Sequence, residues 1–521
     1  MSTMRAALRS TTVVPQVAAV LVVLLLLLVI VRLPWAGDLG MHAATVERLR
    51  HDLVHPGNPL VDADTPSPYY SPWMLVLGCV ARVTGFSVFV VLRIGAVVGL
   101  ALLVSGVWRY VRTLSAHRAA PALAVLCLVF LWGTSLFAWS GFLGLNSLAL
   151  TVSYPSVFAL GLAFHLWAWL AGAVREPAAG WGVWLGLGVL WAVISLCHQF
   201  SGVVASLGAL ATVVAARVGR GVWVRLGGGL AAGVVVLGAW PYYDFFALVG
   251  AGADLESVHR ALYRDLPGRY WLVLLGVVAL VLRWRRDRWD PLVLFFVLGA
   301  VVVALGGVSG HYSWGRALPA VLIPAQIAAA LAAVEGRRAG RVVWPGVPVG
   351  RGVWAGVPVG RGVWAGVPVG RAVWAGVLAG ALAVGAWTQV GTVGYVVPRG
   401  ALPEAVAARY RAPWVGYHWV TPWVKYGDVV MARTFAARQL PAYGAYTVAP
   451  GYPDFFLPDE GRRVADVRRY FAEGTPEGVR WGIVRAYGVR WVVDRGVEGA
   501  GVGLRVVARG PGGDVLYEVV R

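Results

Sequence analysis

The stretch "VVPQVAAVLVVLLLLLVIVRLPWAGDLGMHAATVERLRHD" (Val13–Asp52) decides how the chain is read. Its first half is an uninterrupted apolar run long enough to cross a bilayer, which needs about 20 such residues. Its second half places a carboxylate, Asp38, and an imidazole, His42, one helical turn apart just where the span ends. Arg5 and Arg9 precede the run, as in a signal peptide. The apolar core is longer than a signal sequence uses, and "RLPWAGD" offers a poor cleavage site, so the run reads as the first of many spans.

The whole chain supports that reading. Of 521 residues, 59% are hydrophobic and only 13% charged, with a mean hydropathy of +0.69, the composition of a polytopic membrane protein. The net charge of +20 comes from arginines clustered in short loops between apolar segments. Cytoplasmic membrane loops produce that pattern, and nucleic-acid binding is not needed to explain it. The three cysteines, Cys79, Cys127 and Cys197, lie inside apolar segments without zinc or disulfide spacing and read as packing residues.

Working outward, about eleven transmembrane helices are expected, forming an all-α bundle. They begin with Val13 to Val31 and "FSVFVVLRIGAVVGLALLVSGVW", and close with a span between Ala372 and Val397. With the N-terminus inside, Arg109, Arg112, Arg118, Arg217, Arg220, Arg225, Arg283, Arg285, Arg286, Arg288, Arg337 and Arg338 all fall on the cytoplasmic side. That alternation requires "SPWMLVLGCVARVTG" (Ser71–Gly85) to be a short lateral or re-entrant helix. The transmembrane domain is thus expected over residues 1–397, with a first outer loop at 34–85. A small extracytoplasmic α+β domain follows over 398–521, with helix in "VADVRRYFAEG", helix then strand in "WGIVRAYGVRWVVD", and a hairpin around Gly512–Gly513. A decapeptide recurs between Arg341 and Gly380, its prolines forbidding one continuous helix. It reads as an expanded cytoplasmic loop, with lipid-surface docking through Arg351, Arg361, Trp354 and Trp364 as the alternative.

Asp38, His42 and Thr45 are spaced i, i+4, i+7, one face of a helix. An N-cap acid helped by the helix dipole would account for Asp38 alone. The same loop adds His51, Asp52, His55 and the Asp-x-Asp of Asp62 and Asp64.

Several motifs together resemble one family. They are "D-x-x-x-H-A-x-x-x-x-x-L" from Asp38, "YYSPW" from Tyr69, "LRIG" from Leu92, "SYPSVFALGLAF" from Ser153, "SLCHQFSG" from Ser195, "HYSWGRALPAVLIP" from His311, and "YGVRWVVD…GDVLYEV" near the C-terminus. This set is similar to the GT-C class of membrane glycosyltransferases, which includes oligosaccharyltransferases, protein mannosyltransferases, aminoarabinose transferases and actinobacterial arabinosyl- and mannosyltransferases. The "WWDYG" signature of oligosaccharyltransferase catalytic subunits is missing. The resemblance implies a polyprenyl-phosphate sugar donor, a cell-envelope glycan or lipid acceptor, and a multi-pass protein of the plasma (inner) membrane working on its outer face. It makes Asp38 the general base or a metal ligand, with His42 orienting it, joining it at the metal, or simply packing. Asp62 and Asp64 become candidates to hold a divalent cation, Mg²⁺ or Mn²⁺. The anionic leaving phosphate calls for cations at the outer interface, for which Arg93, His198, Arg264, Arg269, His311 and Arg316 are candidates; snorkelling to headgroups is the alternative for the arginines. Asp244, Asp254, Glu256 and Asp265 are weaker candidates for an acceptor. Two other functions fit the same residues: an inactive GT-C-like glycan-binding or assembly protein, and a transporter or flippase. Against the latter, the polar groups gather at one surface and no pair of matching halves is evident.

Overall fold

The computed structural model describes residues 2–176, 179–248, 256–335, 370–495 and 503–520. Most of the decapeptide array, together with Arg337, Arg338 and Asp254, lies outside the described residues. The first span is α1 (Ser2–Arg32). The chain then turns sharply, with Leu33 and Gly37 both at φ +48°, and enters α2 (Leu39–His51). "SPW" does what its residue types dictate: the Ser71 side chain caps α3 (Pro72–Thr84) by accepting from the Met74 amide at 3.3 Å, and Pro72 occupies the first turn. Gly85, in the left-handed region at φ +71°, ends the helix. At 13 residues α3 spans about 20 Å and is too short to cross a hydrocarbon core of about 30 Å.

The bundle continues with α4 (Val88–Leu114), α5 (Ala120–Phe130), α6 (Leu145–Thr151), α7 (Pro155–Ala173), α8 (Trp181–Cys197), α9 (Gln199–Ala216) and α10 (Arg220–Gly238). Two short helices, α11 (Glu256–His259) and α12 (Leu266–Tyr270), precede α13 (Leu274–Arg286), α14 (Pro291–Ser309), α15 (Pro319–Glu335) and α16 (Arg371–Thr388). Among the described residues eight helices are long and apolar enough to cross a membrane. Three of the expected spans correspond to shorter apolar helices, α5, α8 and α16. α5 stops at Phe130, and the chain that follows carries Trp139.

Close helix crossings depend on small residues. A methyl on Gly188 of α8 would sit 1.7 Å from the Gly229 carbonyl oxygen of α10, so only glycine permits that approach. Several arginine-bearing helix ends lie close together. Thr113, Val174, Thr212, Ala215 and Pro291 line one small cavity, Arg175 donates to the Thr113 carbonyl at 3.3 Å, and Arg283 pairs with Asp290 at 2.7 Å. Asp38 and the C-terminal domain lie at the opposite end.

That domain is α+β, as expected. Its strands are β1 (Val429–Ala432), β2 (Tyr446–Thr447), β3 (Trp491–Asp494), β4 (Leu504–Arg509) and β5 (Val515–Val519), in the order β2-β1-β3-β5-β4. The first three are parallel neighbours, and β5 runs antiparallel to β3 and β4. The short strands β1 and β2 escape a sequence reading because both faces of β1 are buried, which erases the period-two alternation. Val429, Met431 and Val492 pack under the helices Glu460–Tyr470 and Glu477–Ala486, while Val430, Trp491 and Val493 pack on the other face with Val420 and Leu440.

Candidate active site

Asp38 sits in the N-cap position of α2 without acting as a cap. The His42 amide donates to its carbonyl at 3.1 Å, but its side chain makes no cap bond. Among the described residues the Asp38 carboxylate has neither a hydrogen-bond nor an ion-pair partner. The backbone around it is held firmly: Tyr154 donates its hydroxyl hydrogen to the Ala36 carbonyl, Tyr452 donates to the Gly37 carbonyl at 2.7 Å, and the Trp414 amide donates to the Trp35 carbonyl at 2.7 Å. An acid left free on a clamped backbone is arranged for something other than capping.

Arg316 lies close enough to act on the Asp38 charge. The turn Tyr312–Ala317 follows α14 and is fastened by Glu256, which accepts from the Ser313 amide at 2.8 Å and the Ser313 hydroxyl at 2.7 Å. Arg316 is only 7% exposed, its guanidinium 4.5 Å from the Phe200 ring centroid and 5.8 Å from that of Trp139. Its Nη2 lies 3.2 Å from His198 Nε2, and its buried Nε has no partner. No carboxylate lies within ion-pair distance of it among the described residues. His198 Nδ1 accepts from the Ser201 amide at 3.1 Å and lies 2.8 Å from Ser201 Oγ, so the imidazole is held at the start of α9. A ring that accepts on one nitrogen is neutral, which leaves Arg316 as the charged member of the pair.

The two walls sense each other electrostatically. Burial pushes the Asp38 carboxyl above the ordinary range, and Arg316 and then Arg438 pull it part of the way back. Asp38 is half-buried. His42 is buried, its ring 4.6 Å from Tyr154, and burial lowers its pKa to about 3, so it is neutral at any physiological pH. Thr45 does not share the site chemically: its hydroxyl is taken by the Met41 carbonyl at 2.9 Å.

The remaining candidates are placed elsewhere. Arg93 ties the start of α4 to the end of α1 by donating to the Val31 carbonyl at 3.0 Å and to that of Phe89 at 3.3 Å. Arg269 donates to the Ala261 carbonyl at 2.7 Å and lies over Phe137, while Arg264 is exposed. His311 is exposed, with Nδ1 2.9 Å from Ser309 Oγ. Asp244 and Asp265 cap local turns through the Phe246 and Gly268 amides. Asp52 does the same for Val54 and His55. Asp62 and Asp64 are both exposed, and Asp62 lines a cleft of about 620 Å³ beside Arg490 and Arg505 of the C-terminal domain. Among the described residues no three His, Cys, Asp or Glu side chains come together in a way that could hold a metal ion. No step of the proposed reaction is routed through a divalent cation at Asp62 and Asp64.

Sequence reading missed Arg438 and Tyr452, both from the C-terminal domain. Arg438 Nε donates to the Gly451 carbonyl at 3.0 Å and its guanidinium lies 5.4 Å from the Tyr452 ring centroid. Nothing in the local sequence marks either residue, because their role comes from packing against Gly37 and Gly40, some 400 positions earlier.

With this geometry the chain can be set beside known structures. ArnT from Cupriavidus metallidurans, in its apo state, matches over 98% of both chains with a TM-score of 0.53 at 17% identity. The mycobacterial arabinofuranosyltransferase AftD matches 96% of this chain, over 40% of its own length, with a TM-score of 0.53 at 16% identity. The chain has the GT-C fold. No protein-family model matches its sequence, and no curated protein does. The GT-C fold makes this a membrane protein of the architecture used by membrane glycosyltransferases.

Proposed function

We propose that the protein transfers a sugar from a polyprenyl-phosphate donor to a hydroxyl of a cell-envelope glycan or lipid, at the membrane face that carries the C-terminal domain. The observation that carries this reading is the pair of unmatched charges: a free carboxylate, Asp38, opposite a buried guanidinium, Arg316, that has no carboxylate of its own. An uncompensated buried arginine is costly, and an anionic phosphate supplies the missing partner.

The chemistry follows from those two groups. As the acceptor oxygen attacks the anomeric carbon, its proton passes to Asp38, whose raised pKa makes it a better base than an exposed carboxylate. The bond from the anomeric carbon to the phosphate oxygen breaks, and the electron pair leaves with the phosphate. Arg316 stabilises that charge, and His198, anchored at Ser201, fixes the orientation of the guanidinium. Phe200 and Trp139 wall the guanidinium off from water, which strengthens its attraction for the phosphate. The arginine-rich ends of the helices would face the cytoplasm, placing the N-terminus inside and the reaction outside, in the plasma membrane.

The test is to incubate membranes containing the protein with a panel of radiolabelled polyprenyl-phosphate sugars and a cell-envelope extract. One donor is expected to label a glycan or lipid product, with release of polyprenyl phosphate. A panel yielding no product above membranes lacking the protein, with the donors intact, contradicts the proposal.

A further inference from the structure

Arg438 offers a second cation at the reaction centre, and it comes from the other domain. The segment that carries it lies directly on α2: a methyl on Gly40 would stand 1.9 Å from the Arg438 carbonyl oxygen. Tyr452 joins the two, its hydroxyl 2.7 Å from the Gly37 carbonyl and 3.4 Å from that of Arg438. The guanidinium rests on the Tyr452 ring and gives its Nε to Gly451. Among the described residues no carboxylate lies within ion-pair distance of the guanidinium, and neither terminal nitrogen has a hydrogen-bond partner.

We propose that Arg438 binds the departing phosphate, so that the C-terminal domain forms one wall of the reaction centre. The inference rests on the donor chemistry proposed above and adds a charge argument. A sugar linked through phosphate to a polyprenol is a phosphodiester with one negative charge. When the anomeric carbon–oxygen bond breaks, the phosphate keeps the electron pair and becomes a monoester, whose second ionisation lies near pH 6. Its charge therefore rises from one to two while the acceptor proton neutralises Asp38. With Arg316 alone, the pocket holding Asp38 and the donor carries one net negative charge before transfer and after it. With Arg438 included, both states are neutral. A second cation is needed where the second charge develops, and Arg438 supplies one from the C-terminal segment that packs against α2. Such preorganised charge accelerates transfer without any reorganisation during the reaction.

The test uses the full-length protein in lipid nanodiscs, titrated at pH 7.5 with two sugar-free probes: a polyprenyl phosphate monoester and its methyl diester. Wild type is expected to bind both. Arg438→Gln should bind the monoester at least tenfold more weakly and the diester within threefold of wild type, and Arg438→Lys should recover most monoester affinity. Arg316→Gln should weaken both probes. An Arg438→Gln variant that holds the monoester as well as wild type, or loses both probes equally, overturns the role of Arg438 while leaving the donor reading intact. A wild-type protein that binds neither probe removes the donor reading and this inference with it.

Discussion

Arg48 lies flat against Tyr446, its guanidinium 3.6 Å from the ring centroid, with Tyr426 on its other side at 4.8 Å. It is fully buried without a carboxylate, and its charge is met by the Gly444 and Ala445 carbonyls at 3.0 and 2.5 Å. Arg48 belongs to the helix that begins at Asp38, and everything holding it belongs to the C-terminal domain. The domain therefore fixes the axial position of α2 and so the position of the proposed base. Replacing Arg48 with Met leaves two buried carbonyls without donors, a loss of about 2–4 kcal/mol from charge-assisted bonds of this kind. Arg48→Met should lower the thermal unfolding midpoint in detergent and cut the turnover rate more than it raises the Michaelis constant for the donor. Unchanged melting and turnover would show that α2 is held in place by other contacts.

Gly40 tests the same docking from its other end. Gly40→Ala puts a methyl within 1.9 Å of the Arg438 carbonyl, and backbone must move to relieve it. Transfer should fall at least tenfold while the protein still inserts and purifies as wild type does. A fully active Gly40→Ala variant would mean that the contact between α2 and the C-terminal domain is looser than described.

The first two apolar helices of spanning length, the short helix after "YYSPW" and the terminal α+β domain were all legible in sequence, because each has a local signal: apolar length, a Ser-Pro cap or a glycine-centred hairpin. Asp38, Arg316 and His198 stood out for the same kind of reason, being polar groups beside apolar spans. Arg93, Arg269 and His311 carried an equal signal, yet each also reaches a nearby carbonyl or a neighbouring serine. Sequence shows that a cation sits near a span end and does not show which partner it meets. Arg438 carried no signal at all, since its place beside Asp38 depends on tertiary contacts with Gly37 and Gly40.

The pH dependence has a definite sign. Transfer requires ionised Asp38, whose carboxyl is raised by burial. Activity should be full above that raised value and fall as pH drops through it, with the acid limb above the ordinary carboxylate range. The same shift acts on stability: ionised Asp38 is less favourable in the folded protein than in the unfolded chain, so it costs stability above its raised pKa. Asp38→Asn removes that cost and should melt at or above the wild-type temperature at neutral pH. A lower midpoint would mean that the carboxylate is stabilised by contacts other than those described.

Arg316 and His198 separate charge from orientation. Arg316→Lys keeps a cation but loses the planar fork and the stacking on Phe200. By the magnitude usual for a lost oxyanion contact, turnover should fall by about 10²–10³-fold. His198→Phe keeps Arg316 and removes only the group that orients it, so a smaller loss of roughly tenfold is expected. Equal losses in the two variants would show that His198 itself contacts the donor.

The most direct measurement is single-turnover transfer by Asp38→Asn and Asp38→Glu from whichever polyprenyl-phosphate sugar the panel identifies, at saturating donor and equal amounts of inserted protein. The account predicts that the amide variant binds the donor with near-normal affinity and transfers at least a thousandfold more slowly, with the glutamate variant in between. Transfer by Asp38→Asn at the wild-type rate would contradict it.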